Sequence, residues 1–583
     1  MSFRQDRTNP STAVSNWKGR SETPKGHPST RVSQWINGGL FGGGGADTWF
    51  SIYSFESAFT ASYGAGYPIL AKPWAGAKNT PLTSDGSVTM MAQANGGSDW
   101  IYYQMSPSGV VAPDAAKIGA YSVTNGEWQA YGFTTNGTDL LLNGGYGKYT
   151  PDSAYRVMPG VVAAPLSVTN TSGTPTIEDF KVYNINGSSW NTDRFRSLMV
   201  YTDDIAGSNT VYWCAGGKPQ GSTGWVYGTY DTSSDALACT GFGRTYGSDW
   251  DNQETDWTVQ GPSGRMYGFV KGTSGRASVF MSDATSESSS HAFQKMYAQA
   301  WAKPFTYTSY GQCFGAYPIG QYSGNDQFIV MFSAQQLYGG AETYIAKMTP
   351  FDGNVQATSL IYASNGQGEM KPPDPTGAST GMCMDSSNNI YIVMGRSGLN
   401  SNQETVVMKL DSDLVVQWTR VMQMSDSNTF GTVVSGTREL YPGGINLTAD
   451  EQYLMVHGMM EYYPNGGQRK KGFAFTVKAD GSGAMPNDGN AHQIGSSGLT
   501  PTVSNSYSET AYIRYYDPAD TSASTPRPVN VSSLSGNWGS ASANGNTNFG
   551  GNQGAANGPD LSSNLANKST IYGNYVYENT FAG

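Results

Sequence analysis

Apolar residues along this chain come in short runs that alternate with polar positions and are punctuated by tight-turn residues. A period of two sends successive side chains to opposite faces of a strand, so the pattern predicts many short β-strands. Three stretches superimpose on one another: residues 325–332 (NDQFIVMF), 389–395 (NIYIVMG) and 451–458 (EQYLMVHG). Each is a polar turn that leads into an apolar strand. Each is followed by a second strand, at 344–348, 406–410 and 475–479, which carries Lys347, Lys409 or Lys478. Tight turns then follow at 351–354, 411–413 and 480–481, and the middle copy continues into a third strand at 415–420.

Extending backwards adds Met266 to Val270 and Val211 to Trp213, then fainter candidates at 140–142 and 88–90. With Tyr267, Phe328, Tyr391 and Tyr453 as markers, the gaps are 61, 63 and 62 residues. The earlier markers Met90, Leu141 and Tyr212 are spaced by 51 and 71, with 55 more to Tyr267. A period of this length with three or four strands per unit predicts an all-β fold, a β-propeller. Each small sheet buries its faces only against its neighbours, so the units must stack until they close. Seven marks predict seven blades, within a range of six to eight. An eighth cluster, at 510–516, is expected to close the ring with 48–53. Independent β-sandwiches also space strands evenly, but the near-equal gaps and the matching lysine–turn element favour the propeller.

The ends read differently. Residues 1–45 form a basic extended docking arm in which Trp35, Leu40 and Phe41 precede a swivel of four glycines, Gly42 to Gly45. Residues 46–518 are the body. Residues 519–583 are a low-complexity tail with one terminal strand at 571–577, expected to add to a neighbour's sheet edge.

Composition narrows the class. Glycine accounts for 74 of 583 residues, while aromatic and charged residues each make up 13%. So many aromatics exclude a disordered chain, and the shortage of Glu, Lys and Leu argues against a helical bundle. Formal net charge is −10, so a nucleic-acid-binding surface is not expected, and with no run of about 20 apolar residues no membrane partner is expected either. The first 35 residues run the other way, with Arg4, Arg7, Lys18, Arg20, Lys25 and Arg31 against Asp6 and Glu22, a local +4. Of these, Arg4, Arg7, Lys18, Arg20 and Arg31, with Trp35, Leu40 and Phe41, are the candidate subunit-docking residues. No signal peptide is read at the N-terminus, and no apolar run reaches the length of a membrane span. The four cysteines, Cys214, Cys239, Cys313 and Cys383, lack metal spacing and read as free thiols.

The element of strand, turn, apolar strand, lysine and turn, at 310–485, resembles blades of the quinoprotein-like propellers. That resemblance implies a fold and no cofactor. The basic arm, Trp35 to Gly45, the Tyr/Gly/Asn-rich body and the Gly/Asn-rich tail together resemble virion structural proteins of tailed bacteriophages, particularly tail-associated proteins of marine phages. That implies a viral tail protein made in the host cytoplasm, released by lysis and assembled with other virion proteins and with copies of itself.

Candidate chemistry is sparse. His27, His291, His457 and His492 show no metal-ligand spacing, and His457 reads as structural. Residues 385–389 (DSSNN) are oxygen-rich enough for calcium, yet as a blade turn they need no ion. The densest constellation is 248–257, where Asp249, Trp250, Asp251, Glu254 and Trp257 bring carboxylates beside aromatic rings. Carboxylate pairs and stacking rings serve glycan chemistry, but residues on one loop rarely flank a scissile bond. Exposed tyrosines also suit a recognition surface. The sequence therefore predicts a non-enzymatic structural protein of a phage tail (neck, baseplate or tail fiber). A host-surface glycan-binding adhesin or depolymerase is the alternative.

Overall fold

The computed structural model describes the strands given below with several of the turns between them. Side chains are described mainly within residues 48–54, 259–269, 312–363, 381–397, 404–425, 439–462, 471–482, 511–519 and 529–533. Among the described residues the fold is all β, a β-propeller of antiparallel sheets. Seven sheets follow one another along the chain.

Sheet 1 contains Val88–Gln93, Trp100–Met105 and Val111–Ile118. Sheet 2 contains Gly126–Thr135, Asp139–Tyr149, Tyr155–Pro165 and Asp179–Val182. Sheet 3 contains Asp193–Thr202, Thr210–Lys218, Gly224–Asp231 and Ala236–Arg244. Sheet 4 contains Thr255–Gln260, Met266–Val270, Ser278–Ser282 and Lys295–Ala300. Sheet 5 contains Tyr310–Tyr322, Asn325–Gln335, Ala341–Thr349 and Asn354–Ala363. Sheet 6 has an interrupted first strand, Met370–Lys371 with Met382–Met384, then Ile390–Ser397, Gln403–Leu410 and Val416–Ser425. Sheet 7 contains Arg438–Leu447, Tyr453–Tyr462 and Arg469–Lys478, with Trp49–Ser54 from the other end of the chain as its fourth strand.

All seven sequence markers lie in different sheets, and those of sheets 2 to 7 occupy the second strand of each. The first strands of sheets 3 to 7 touch in succession, which puts them innermost. Sheet 6 shows why the units cannot stand alone. Ile390, Ile392, Met394, Val406, Met408 and Leu410 pack toward sheet 5, while Tyr391, Val393, Val407, Met422 and Met424 pack toward sheet 7. With both faces apolar, the strand Ile390–Ser397 reads as a continuous apolar run rather than a clean alternation.

The expected closure by 510–516 with 48–53 does not occur. Trp49–Ser54 pairs instead with Arg469–Lys478, with Phe50 opposite Phe475 and Ile52 opposite Phe473. Among the described residues no strand that follows Asp480 pairs with Arg469–Lys478, and the N-terminal strand takes that edge. Ser51 Oγ donates to Gly109 O at 2.6 Å and joins sheet 7 to the connection that precedes Val111–Ile118 of sheet 1.

Thr510–Tyr516 covers the outer edge of sheet 6, and four later strands do the same elsewhere. Val529–Ser533 lies on sheet 5, Ser542–Asn548 on sheet 4, Lys568–Tyr572 on sheet 1 and Val576–Ala582 on sheet 7. Among the described residues the C-terminal segment thus runs backwards around the ring and laces five of the seven sheets, each time antiparallel. The terminal strand expected at 571–577 falls across two strands, both on this chain's own sheets. An outermost strand needs only an open row of backbone donors and acceptors, which these edges supply.

A Cβ at Gly472 would run into the Tyr53 ring of the closing strand. Gly472→Ala is therefore expected to cost about 1–3 kcal/mol, the usual range for overpacking. Gly315→Ala meets only the flexible tip of Met382, at 3.3 Å, and should cost less. Thermal melts of the two variants check this, and equal stability would remove the special role given to the closing strand.

Candidate functional site

The two ends of the ring differ in chemistry. In sheets 5 and 6 the connections between first and second strands, and between third and fourth, are tight turns at one end. Connections between second and third strands, as at residues 336–340, 398–402 and 463–468, lie at the other end together with the long sheet-to-sheet connections such as 426–437.

The turn end is self-satisfied. Asp385 accepts the backbone N–H groups of Ser387 and Asn389 at 2.9 and 2.8 Å, Asn389 Nδ2 at 2.7 Å and Tyr391 OH at 3.1 Å. Asp411 repeats the device with Asp413 N, Val415 N and Gln417 Nε2. Asn388 and Leu414 take φ of 63° and 65° at matching positions. These carboxylates hold hairpins, a role that a blade turn gives to residues 385–389. Serine–carboxylate clamps join one sheet to the next. Ser263 donates through both N and Oγ to Asp326, and Ser386 donates through N and Oγ to Glu451 at 2.9 and 2.7 Å. The partners are 63 and 65 residues apart, one repeat. Burial, followed by the neighbouring Asp326, raises the Tyr267 hydroxyl pKa, so it stays a donor at 2.9 Å to that carboxylate.

The other end carries buried charge. Among the described residues seven charged side chains are buried, and six of them, Glu342, Arg396, Glu404, Glu439, Glu461 and Lys471, sit toward the long connections. Asp326 is the seventh. Arg396 Nε meets Glu404 Oε2 at 2.6 Å, with both side chains 1% exposed. Arg396 Nη2 also donates to Tyr516 OH at 3.0 Å, which ties the lace to this ion pair. Burial works against the Arg396 charge, but Glu404 and Tyr516 outweigh it and the net shift is upward. Tyr344 OH donates to Glu342 Oε2 at 2.8 Å, and Tyr441 OH to Glu439 Oε2. In both cases the partners are two residues apart on one strand, hence on one face. These pairs hold strand ends in register beneath the long connections, so that end presents loops from a stiff rim. Among the described residues no group of three or more His, Cys, Asp or Glu is placed to hold a metal ion.

Sequence reasoning missed this rim. Its signal is an identity beyond apolar pattern: Glu342, Thr343 and Lys347 recur as Glu404, Thr405 and Lys409. Both threonines are fully buried and reach across to the next sheet, Thr343 to Met370 O at 3.1 Å and Thr405 to Leu440 O at 3.2 Å.

The residues singled out from sequence lie mostly elsewhere. Arg4, Arg7, Lys18, Arg20, Arg31, Trp35, Leu40 and Phe41 are outside the described residues, as are Asp249, Trp250, Asp251 and Glu254. Trp257 is described by its backbone, opposite Phe269 in Thr255–Gln260. The flanking strands place the ends of the 245–254 connection. It leaves the outermost own strand of sheet 3 at Arg244 and enters the innermost strand of sheet 4 at Thr255, both at the long-connection end.

No protein-family model matches the sequence, and no curated protein sequence matches it. Solved structures similar in overall shape include polysaccharide lyase Uly1 (TM-score 0.38, 10% identity), over 74% of this chain and 99% of that one. Drosophila Semaphorin 2a gives 0.35 at 9% identity, over 71% and 76% of the two chains. The β-fructofuranosidase of Schwanniomyces occidentalis, complexed with fructosyl-erythritol, gives 0.26 at 10% identity, over 62% and 93%. At such TM-scores none of the three bears on what this chain binds or does.

His457 is 2% exposed within sheet 7, and burial pushes its imidazole down to about 4. The unfolded chain takes up this proton below about 6.5 and the folded chain does not. Stability is therefore whole at neutral pH and declines as pH falls toward 4, by roughly 3 kcal/mol at full extent. In His457→Leu the drop in melting temperature between pH 7 and pH 4.5 should shrink; an unchanged drop would assign the acid sensitivity to other groups.

Proposed function

We propose that this protein is a non-enzymatic structural component of a bacteriophage virion, in the tail apparatus. The propeller serves as a rigid platform, and the basic arm docks it to neighbouring subunits. The C-terminal lace carries this reading. An exposed sheet edge invites pairing with another chain, and this chain covers five of its own edges with its own strands. Such a body can be packed at high local concentration with those five edges closed to edge-to-edge pairing. It is also tied from both termini, since Trp49–Ser54 lies between Arg469–Lys478 and Val576–Ala582. The docking partners are other virion proteins and further copies, and the acidic body, about −14 without the first 35 residues, complements their +4. Mass spectrometry of purified phage particles is expected to find the protein in stoichiometric amounts, and its absence there would overturn the assignment.

One observation favours a second reading, a host-surface glycan-binding adhesin. The carboxylate- and tryptophan-bearing connection 245–254 begins and ends at the long-connection rim, and it leads into an innermost strand. A glycan array with wild type, Trp250→Ala and Asp251→Asn tests this. Binding by wild type that both variants lose supports it, whereas a blank array for wild type ends it.

A further inference from the structure

The lace leaves two sheets out. Among the described residues no strand covers the outer edge of sheet 2, Asp179–Val182, or that of sheet 3, Ala236–Arg244, although these sheets are neighbours. The docking arm carries a matching pair of segments. Residues 12–17 read TAVSNW and residues 30–35 read TRVSQW, a hexapeptide present twice. Neither copy contains proline or glycine, and each has a β-branched residue at its first and third positions and tryptophan at its sixth, a composition suited to strands. Twelve residues, 18–29, separate the copies. The same number, 517–528, separates the lace strands Thr510–Tyr516 and Val529–Ser533, which lie on adjacent sheets.

We propose that the two T-x-V-S-[N/Q]-W segments are lacing strands for the outer edges of sheets 2 and 3 of a second copy of this chain. This rests on the assembly reading above and names both the surface and the partner. Three features of the chain select a second copy over the chain's own ring. Residues 36–47, between Trp35 and the start of the described chain at Thr48, include six glycines, a composition suited to a swivel. The 517–528 connection of the lace has none and holds three prolines instead. Reaching sheet 2 of the same ring means passing the edge of sheet 1, already covered by Lys568–Tyr572. The charge fits as well, a +4 arm meeting an acidic body of another copy.

The recognition is β-augmentation. Main-chain hydrogen bonds supply affinity, and the alternating side chains of each hexapeptide supply register. Every lace strand runs antiparallel to the strand that it covers, and the arm strands are expected to do the same.

The test compares full-length protein with Val14→Pro/Val32→Pro, since proline removes a ladder donor and is barred from paired strands. Sedimentation velocity over a range of concentrations is combined with amide hydrogen exchange read at Asp179–Val182 and Ala236–Arg244. Wild type should self-associate, with both edges protected in the associated form. The variant should sediment as a monomer whose two edges exchange about ten-fold faster or more, while the other sheets keep their protection. A wild type that stays monomeric, or edges equally protected in the variant, would overturn the proposal. Edges protected in a dilute wild-type monomer would overturn it too, by assigning the strands to the chain's own ring. The readout is self-association, so it can fail while the protein is still found in particles.

Discussion

The strand Trp49–Ser54 is hydrogen-bonded on one edge to Arg469–Lys478 and on the other to Val576–Ala582, so six early residues lie between two late segments. Everything else depends on that junction. Sheets 5 and 6 are each apolar on both faces, and so is any sheet that fills the space between two others. A linear stack of such sheets would leave two apolar faces in water at its ends. Closing the stack removes both ends at once, and the closing strand contributes Phe50 and Ile52 to the core that sheet 7 shares with sheet 6. Stability is therefore a property of the ring and not a sum over independent units.

Burying sheets face to face also dictates how polar groups are handled. At the turn end, carboxylates are spent locally on hairpins or one repeat away on the next sheet, as with Ser386 and Glu451. At the other end strands stop beneath longer connections, and the buried ion pair of Arg396 with Glu404 holds one such ending in place. Removing either partner would strand a buried charge, a severe penalty compared with the modest net worth of the pair. The buried charges concentrate where strands end beneath the connections of that end.

How much of this the sequence discloses follows from what each part buries. Tyr267, Phe328, Tyr391 and Tyr453 announce their sheets because second strands lie in the middle of a sheet and are apolar on both faces. The lace is nearly silent for the opposite reason. Ser542–Asn548 reads SANGNTN and gains its place from an open backbone edge rather than from apolar burial. Apolar periodicity has nothing to register there. Thr510–Tyr516 does alternate and was legible as a strand, yet its partner was not, since edge pairing leaves no mark in either sequence. The rim residues Glu342 and Glu404 were hidden by the same reliance on apolar pattern, although their recurrence is plain once identities are compared. The candidate docking and glycan-binding residues stood out by charge and aromatic content, and those properties speak of surfaces, not of positions in a fold.

Glycine and aromatic residues are abundant together for a geometric reason. Where two segments of the ring press closest, an aromatic ring lies against a backbone that has no Cβ: Trp49 against Gly109, Tyr53 against Gly472, Phe473 against Gly458 and Trp418 against Gly481. Two of these glycines, Gly109 and Gly481, also hold φ of +81°, which a side chain would strain. Trp418 extends the contact with a hydrogen bond from Nε1 to Ala479 O at 3.2 Å, next to the glycine that it covers. Flat rings on bare backbone let neighbouring strands within sheet 7 (Tyr53–Gly472, Phe473–Gly458) and segments of different sheets (Trp49–Gly109, Trp418–Gly481) approach at low entropic cost, since an aromatic side chain has only two torsions to fix. A ring of sheets with such seams needs glycine and aromatic residues in step with each other. A composition unusual for a globular protein is therefore the expected one for a chain that must close upon itself.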